Sequence, residues 1–198
     1  MQTFQIAGQT VALPETLREN LAQDAAALML RPINPRSVYV FDSGVLLPAA
    51  GTADDLGFYQ GTHGTDVPYI GTGDVKNTTT ARKCRFTFAL PPEYVAGGAV
   101  IILARAGMKT TVASTTATID FTAYKANGTV ITGADLVETS ATSINSLTFT
   151  DIPFSLTPTN LVAGSEVDVV CTVDIADTAT ATAVIGAFRL FFGCTSRG

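Results

Sequence analysis

Apolar and polar residues alternate at period two through much of the second half of the chain, and this alternation predicts β-strands. Cys84, Phe86 and Phe88 are separated by Arg85 and Thr87. The segment from Val167 to Ile175 alternates in the same way, with Asp and Thr at most of the intervening positions. Because period two sends successive side chains to opposite faces, each segment is typical of a half-buried strand. We therefore predict an all-β fold.

The same region contains an internal repeat with a period of about 67 positions. Tyr94-Val95-Ala96-Gly97 recurs as Leu161-Val162-Ala163-Gly164, each time between a proline and a strand-like apolar run. A strand–turn–strand unit that is used twice cannot bury its apolar face in either copy alone, so it predicts a two-layer antiparallel β-sandwich. With about eight strands expected, a jelly roll fits best, and an immunoglobulin-like sandwich is the alternative.

Two of the predicted strands are apolar on both faces. They are Val100–Leu103 and Ala187–Phe192. In an antiparallel sandwich one face of each strand normally meets water, so another element or another subunit is expected to cover Ile101, Leu103 and Phe191. A charged fraction of 15%, against roughly 25% in soluble domains, also favours a surface partly hidden in a homo-oligomer.

The N-terminal part predicts one helix, from about residue 14 to residue 31. Leu17, Leu21 and Leu28 follow the helical stripe, and Arg31 precedes a proline, which opposes helical geometry. The helix could pack on its own sandwich or on a neighbouring subunit, and the sequence leaves both possibilities open. The three leucines are candidate interface residues.

From Pro32 to Lys83 the pattern predicts one strand, Val38–Phe41, within a segment rich in Gly, Asp, Thr and Pro. Long segments without regular structure are usually functional or disordered. We interpret residues 1–83 as an extended N-terminal arm and residues 84–198 as the β-sandwich domain. Three aromatic residues of the arm are candidate contacts with a partner: Phe58, Tyr59 and Tyr69.

Charge and cysteine content narrow the possible partners and compartments. The net charge is −5 and the basic residues are scattered, so direct nucleic-acid binding is not expected. No apolar run approaches the ~20 residues of a membrane span, and no secretory signal is visible. Cys84 and Cys171 fit the apolar alternation and are predicted to be buried free thiols, which indicates folding in a reducing cytoplasm.

Support for catalysis is weak. His63 lies in a predicted loop with no nucleophile motif and no zinc-ligand spacing around it. Asp54, Asp55, Asp66 and Asp74 could gather around a calcium ion, but their spacing matches no known calcium loop. We therefore predict no catalytic residue, no bound metal and no cofactor.

The runs Leu90–Thr111 and Leu156–Val170 resemble structural proteins of tailed bacteriophages, most closely head decoration (cement) proteins. The resemblance covers about residues 84–198 and implies a non-enzymatic, commonly trimeric subunit bound to a capsid. The leading hypothesis is therefore a virion protein, made in a reducing host cytoplasm, that stabilises a shell of major capsid protein.

Two other functional hypotheses stay open. The alternative is a receptor- or carbohydrate-binding module of a tail fibre or adhesin, which would use Tyr59, Tyr69 or Tyr124. The third is an enzyme that brings Asp54, Asp55 and His63 into one pocket.

Overall fold

The computed structural model describes residues 3–6, 9–12, 29–34, 37–51, 54–76, 78–177 and 180–193. These residues form thirteen strands. The strands are β1 (Thr3–Ile6), β2 (Gln9–Ala12), β3 (Met29–Ile33), β4 (Gly57–Tyr59), β5 (Tyr69–Gly71), β6 (Thr78–Ala89), β7 (Val100–Met108), β8 (Thr116–Asn127), β9 (Val130–Thr132), β10 (Thr142–Ser143), β11 (Thr150–Leu156), β12 (Glu166–Asp177) and β13 (Ala183–Phe192).

Two antiparallel sheets form the predicted β-sandwich, which is jelly-roll-like. The five-stranded sheet has the order β10-β8-β12-β6, with β9 paired to β8. The six-stranded sheet has the order β11-β7-β13-β5-β4, with β3 paired to β13. Strands β1 and β2 form a separate hairpin. The predicted all-β, two-layer antiparallel fold is confirmed.

Aromatic contacts between the inner faces hold the two sheets together. Phe121 of the five-stranded sheet lies 4.6 Å from Phe154 and 5.8 Å from Phe188, measured between ring centroids. Phe86 lies 5.2 Å from Phe188. All four rings are buried. Each ring belongs to a strand in which alternate residues face inward, so the period-two pattern of the sequence places them in one core.

The repeat in the sequence corresponds to two turns of the same shape. In the first turn the backbone N–H of Tyr94 donates a hydrogen bond to the carbonyl of the residue three positions earlier, and in the second turn the N–H of Leu161 does the same. Both residues are buried. Gly97 and Gly164 have φ angles of 80° and 78°. This left-handed conformation is accessible to glycine without strain, which explains why both copies carry it at this position.

The strands that flank these turns exchange partners between the two copies. Strands β6, β7 and β8 of the first copy correspond to β11, β12 and β13 of the second. Strand β7 lies between β11 and β13, whereas β12 lies between β6 and β8. Each copy therefore contributes its central strand to the sheet that holds the outer strands of the other copy, and both copies share one core.

The N-terminal region differs from the predicted arm. Its strands β3, β4 and β5 belong to the six-stranded sheet, and the predicted boundary at Lys83 lies within β6. Residues 13–28, with the candidates Leu17, Leu21 and Leu28, lie outside the described residues. Residues 29–31 of the predicted helix form part of β3, so its predicted end was wrong. The backbone N–H and C=O groups of residues 29–31 are paired with the edge of β13 and not with one another in a helical turn.

The predicted strand at residues 38–41 is instead part of a hairpin that covers the edge of β6. Tyr39 pairs with Arg85 of β6, and Val38 and Val40 are buried. Leu56 is also buried, next to the bridge between Asp55 and β6. These short segments cover backbone groups that an open sheet edge would expose.

Cys84 and Cys171 are buried free thiols, as predicted. They are directly paired between β6 and β12. Burial raises the pKa of the Cys171 thiol well above its usual value, and contact with Cys84 raises it further. The Cys171 thiol is therefore held protonated in the core. Cys194 lies outside the described residues. Among the residues that the structure describes, no helix has the length and hydrophobicity needed to cross a membrane.

Candidate binding cleft

The two sheets present chemically different outer faces. On the five-stranded sheet the outward residues of β12 are mostly polar: Asp168, Val170, Thr172 and Asp174. The repeat places four residues of β7 at the corresponding positions of the six-stranded sheet, and only one of these is charged: Ile101, Leu103, Arg105 and Gly107. The six-stranded sheet therefore has the more apolar outer face.

A cleft crosses this face, and Val184, Gly186 and Ala187 of β13 line its floor. Val184 of β13 pairs with Gly71 of β5 on one side and with Gly107 of β7 on the other. A Cβ atom at Gly71 would lie 3.1 Å from the ring of Tyr69, and one at Gly107 would lie 3.3 Å from the ring of Phe149. The two glycines thus let aromatic rings lie directly against the backbone.

One wall of the cleft is a pair of tyrosines. Tyr59 and Tyr69 are directly paired between β4 and β5, and their rings stack at 4.9 Å with 9° between the planes. The Tyr59 hydroxyl accepts a hydrogen bond of 3.0 Å from the backbone N–H of Gly51. The Gly51 carbonyl in turn accepts one of 2.9 Å from the Arg82 guanidinium. These contacts fix Tyr59, and stacking on Tyr59 fixes Tyr69.

The opposite wall is Phe149, which directly precedes β11. The cleft between Tyr69 and Phe149 has a volume of about 440 Å³. Val67, which is 74% exposed, and Ala187 add to its apolar lining. A concave, largely apolar site with a few polar groups at its rim is typical of a small-molecule or saccharide site.

Three charged residues lie at the rim: Asp66, Arg105 and Lys109. The Lys109 ammonium donates a hydrogen bond of 2.8 Å to the Tyr69 hydroxyl and lies 4.8 Å from the ring centroid. That hydrogen bond raises the pKa of Lys109, and the charges of Asp66 and Asp74 add to the effect. Lys109 therefore stays charged and holds the Tyr69 hydroxyl in place.

Beyond the cleft, Arg105 and Arg189 share one carboxylate. Asp151 Oδ1 accepts a hydrogen bond of 2.6 Å from Arg189 and a longer one of 3.4 Å from Arg105. Partial burial raises the pKa of Asp151, but the hydrogen bond and charge of Arg189, followed by those of Arg105, lower it overall. Asp151 is therefore a carboxylate with two cationic neighbours.

The predicted interface residues Ile101, Leu103 and Phe191 form an apolar strip next to these arginines. Ile101 is directly paired with Phe191, and Leu103 with Pro153. The three candidates are half-buried, whereas Pro153 is exposed. The structure thus brings Phe191 beside Ile101, on the same outer face as Leu103.

The other candidate residues are divided between the two sheets. Tyr59 and Tyr69 lie in the cleft, whereas Phe58 is directed to the opposite face of the sheet and packs against the core. Tyr124 lies on the outer face of the five-stranded sheet, paired with Asp168. The three tyrosines of the carbohydrate hypothesis therefore do not form one platform.

The enzyme hypothesis receives no support from the geometry. His63 is exposed in the loop between β4 and β5. Burial raises the pKa of Asp55, and the charges of Asp54 and Asp42 raise it further. No group of three or more His, Cys, Asp or Glu side chains suited to a metal ion occurs within the described part of the chain.

The outer face of the five-stranded sheet carries an ion pair in which only the carboxylate is buried. Arg85 donates a hydrogen bond of 2.7 Å to Asp168, whose side chain is 6% exposed, while that of Arg85 is 44% exposed. This hydrogen bond is the main cause that raises the pKa of Arg85. With its donor committed to Asp168, Arg85 contributes to the fold of this face.

Sequence reasoning missed Phe149 as part of a site, and it missed the glycines at 71 and 107 that lie against the rings of the two walls. A signal was present in the series Tyr69-Ile70-Gly71-Thr72-Gly73, in which small residues alternate with a tyrosine on one face of a strand.

No protein-family model matches the chain, and no curated protein is similar to it. Several solved structures are similar to the chain at low identity and low TM-score. A xylan-binding carbohydrate-binding module is 13% identical with a TM-score of 0.44, covering 84% of this chain and 97% of its own. The family 30 carbohydrate-binding module of a cellulosomal cellulase from Clostridium thermocellum is 8% identical with a TM-score of 0.42, covering 82% and 97%. A xylan-binding domain from Paenibacillus barcinonensis is 12% identical with a TM-score of 0.40, covering 79% and 93%. All three likenesses concern the β-sandwich fold alone.

Proposed function

We propose that this protein is a non-enzymatic binding module that takes a saccharide in the cleft between Tyr69 and Phe149. The observation that carries the proposal is a cleft of about 440 Å³ between the rings of Tyr69 and Phe149, with glycine and alanine in its floor. The apolar face of a sugar ring packs on aromatic rings, and its hydroxyls need donors and acceptors at the edge of the site. Asp66, Arg105 and Lys109 supply both at the rim.

The test is binding to a glycan array and to immobilised polysaccharides. Tyr69→Ala and Phe149→Ala should each weaken binding at least about tenfold, because each removes one wall. Tyr124→Ala, on the opposite face, is the matched control and should bind like the wild type. The melting temperature of each variant shows whether weaker binding comes from the missing aromatic ring or from unfolding of the protein. Absence of binding to any glycan by the folded wild-type protein would refute the proposal.

A second candidate function is the shell-bound structural subunit, in which copies of the chain associate with one another and with a major capsid protein. The observation that favours it is the apolar strip of Ile101, Leu103 and Phe191, which lies on an outer sheet face beside Pro153. Apolar patches of this kind frequently mark protein interfaces. A trimer on a symmetric shell would gain avidity from several such contacts.

This candidate is tested by measuring the mass of the wild-type protein in solution and its retention on purified capsids. The double variant Leu103→Thr with Phe191→Tyr should dissociate an oligomer and reduce retention, because it adds polar hydroxyl groups to the apolar strip. Val170→Thr on that other face serves as the control. A wild-type monomer with no capsid affinity would contradict this function and leave the saccharide proposal standing.

A further inference from the structure

The arginine pair beside the cleft has more positive charge than its local partner can balance. Arg105 and Arg189 both donate to one oxygen of Asp151, so two guanidinium groups share a single carboxylate. Lys109, in contrast, is close to both Asp66 and Asp74. The uncompensated charge at this site therefore comes from the arginines, on a chain whose overall net charge is −5.

The two arginines are not equivalent in this arrangement. Arg189 binds Asp151 at 2.6 Å and its side chain is 29% exposed. Arg105 is 3.4 Å from the same oxygen, is 49% exposed, and lines the cleft. Arg105 gives Asp151 a single N–H at 3.4 Å, so its guanidinium keeps most of its donors available. Its planar fork matches the two oxygens of a carboxylate.

We propose that the ligand of the cleft is an acidic saccharide, whose carboxylate binds Arg105 while its sugar ring packs between Tyr69 and Phe149. The inference rests on the proposed function and names the ligand class of the same site. Arg189 is a positioning residue: by holding Asp151 it prevents that carboxylate from competing for Arg105. A charge-assisted bidentate contact beside an aromatic wall selects a uronic acid over the neutral sugar of the same shape.

The experiment is calorimetric titration with oligosaccharides of galacturonic, glucuronic and mannuronic acid, each compared with its carboxyl-reduced neutral counterpart. The wild type should bind at least one acid about tenfold more tightly than its neutral counterpart. Arg105→Gln should abolish this preference, because it lowers the affinity for the acid much more than the affinity for the neutral counterpart. Arg189→Gln should reduce the preference, because Asp151 then turns to Arg105. Lys125→Gln, a charge removal on the other sheet, is the control and should keep the preference.

Added salt should weaken the acid preference and not the neutral affinity, because the charged contact is half exposed. Equal affinity for acid and neutral forms, or a preference that survives Arg105→Gln, would overturn the inference while the saccharide proposal stands. Binding of neutral glycans alone on the array would likewise overturn the preference for an acidic saccharide and leave the saccharide proposal standing. Failure of every glycan to bind would remove both proposals together.

Discussion

The outer faces of the two sheets occupy equivalent positions in the repeat but have opposite chemistry. Asp168, Val170, Thr172 and Asp174 on β12 correspond to Ile101, Leu103, Arg105 and Gly107 on β7. Tyr124 of β8 corresponds likewise to Phe191 of β13. One face resembles an ordinary water-exposed sheet surface, whereas the other carries a cleft and an apolar strip.

The inner positions of the two copies remain alike because both fill one core. Phe86 and Phe154 occupy corresponding inward positions, as do Phe121 and Phe188, and these rings contact one another. A change at any of them alters packing across both sheets. The outward positions carry no such constraint, so the same scaffold can present one stable face and one binding face.

The largest effect is expected when Gly107, which is paired with Val184 of the cleft floor, is replaced by aspartate, the residue at the corresponding position 174 of the other sheet. In Gly107→Asp the new Cβ would lie 3.3 Å from Phe149 and 3.1 Å from the carbonyl oxygen of Ser146. Displacing these neighbours should cost about 1–3 kcal/mol and close the cleft. Urea unfolding and glycan binding measure the two effects.

Gly186→Ala is the control for this change within the same cleft. A Cβ there would lie 3.8 Å from the carbonyl oxygen of Arg105, which is an ordinary contact distance. Its stability should stay within about 0.5 kcal/mol of the wild type. If Gly107→Asp proved as mild as Gly186→Ala, the close approach of Phe149 to the floor would be refuted.

The second largest effect is expected in the contributions that the two ion pairs, one on each sheet face, make to the free energy of unfolding. Asp168→Asn removes a carboxylate that is 6% exposed and bonded to Arg85, and should cost about 1–2 kcal/mol once the exposure of Arg85 is allowed for. Asp151→Asn, at 37% exposure, should cost less than about 1 kcal/mol. Chemical denaturation of the two variants in parallel tests the difference. Equal costs would contradict the assignment of a structural role to the five-stranded face.

The smallest effect is the response of Asp151 to pH. Because the arginines lower its folded pKa below the unfolded value of ~3.9, its contribution is fully present above that value. It is lost as the pH falls through the folded pKa. Melting temperatures of the wild type and Asp151→Asn should therefore differ by a constant amount above about pH 5 and converge as the pH falls from about 4 towards 2. A constant difference over this range would contradict the arginine–aspartate geometry.

The local pattern predicted the parts of the fold that depend on neighbours in the sequence. Period-two alternation identified β6 and β12, and the motif ending in Gly97 and Gly164 identified two equivalent turns. The strands β4 and β5, three residues each, were missed because so short a segment shows no period. The prediction that a helix ends near Arg31 was wrong for a related reason, since pairing with β13 outweighs the local preference for a helix at that position.

The sequence by itself determined that this chain is an all-β sandwich with a duplicated unit, two buried thiols and two strands too apolar for a water-exposed face. These properties follow from the spacing of side chains along one strand, which the backbone geometry fixes. Tertiary structure decided that Tyr69 and Phe149 face each other across Gly107, and that Arg105 and Arg189 share Asp151. These residues come from separate segments of the chain, in or next to β5, β7, β11 and β13, and only the strand order and register of the six-stranded sheet bring them together.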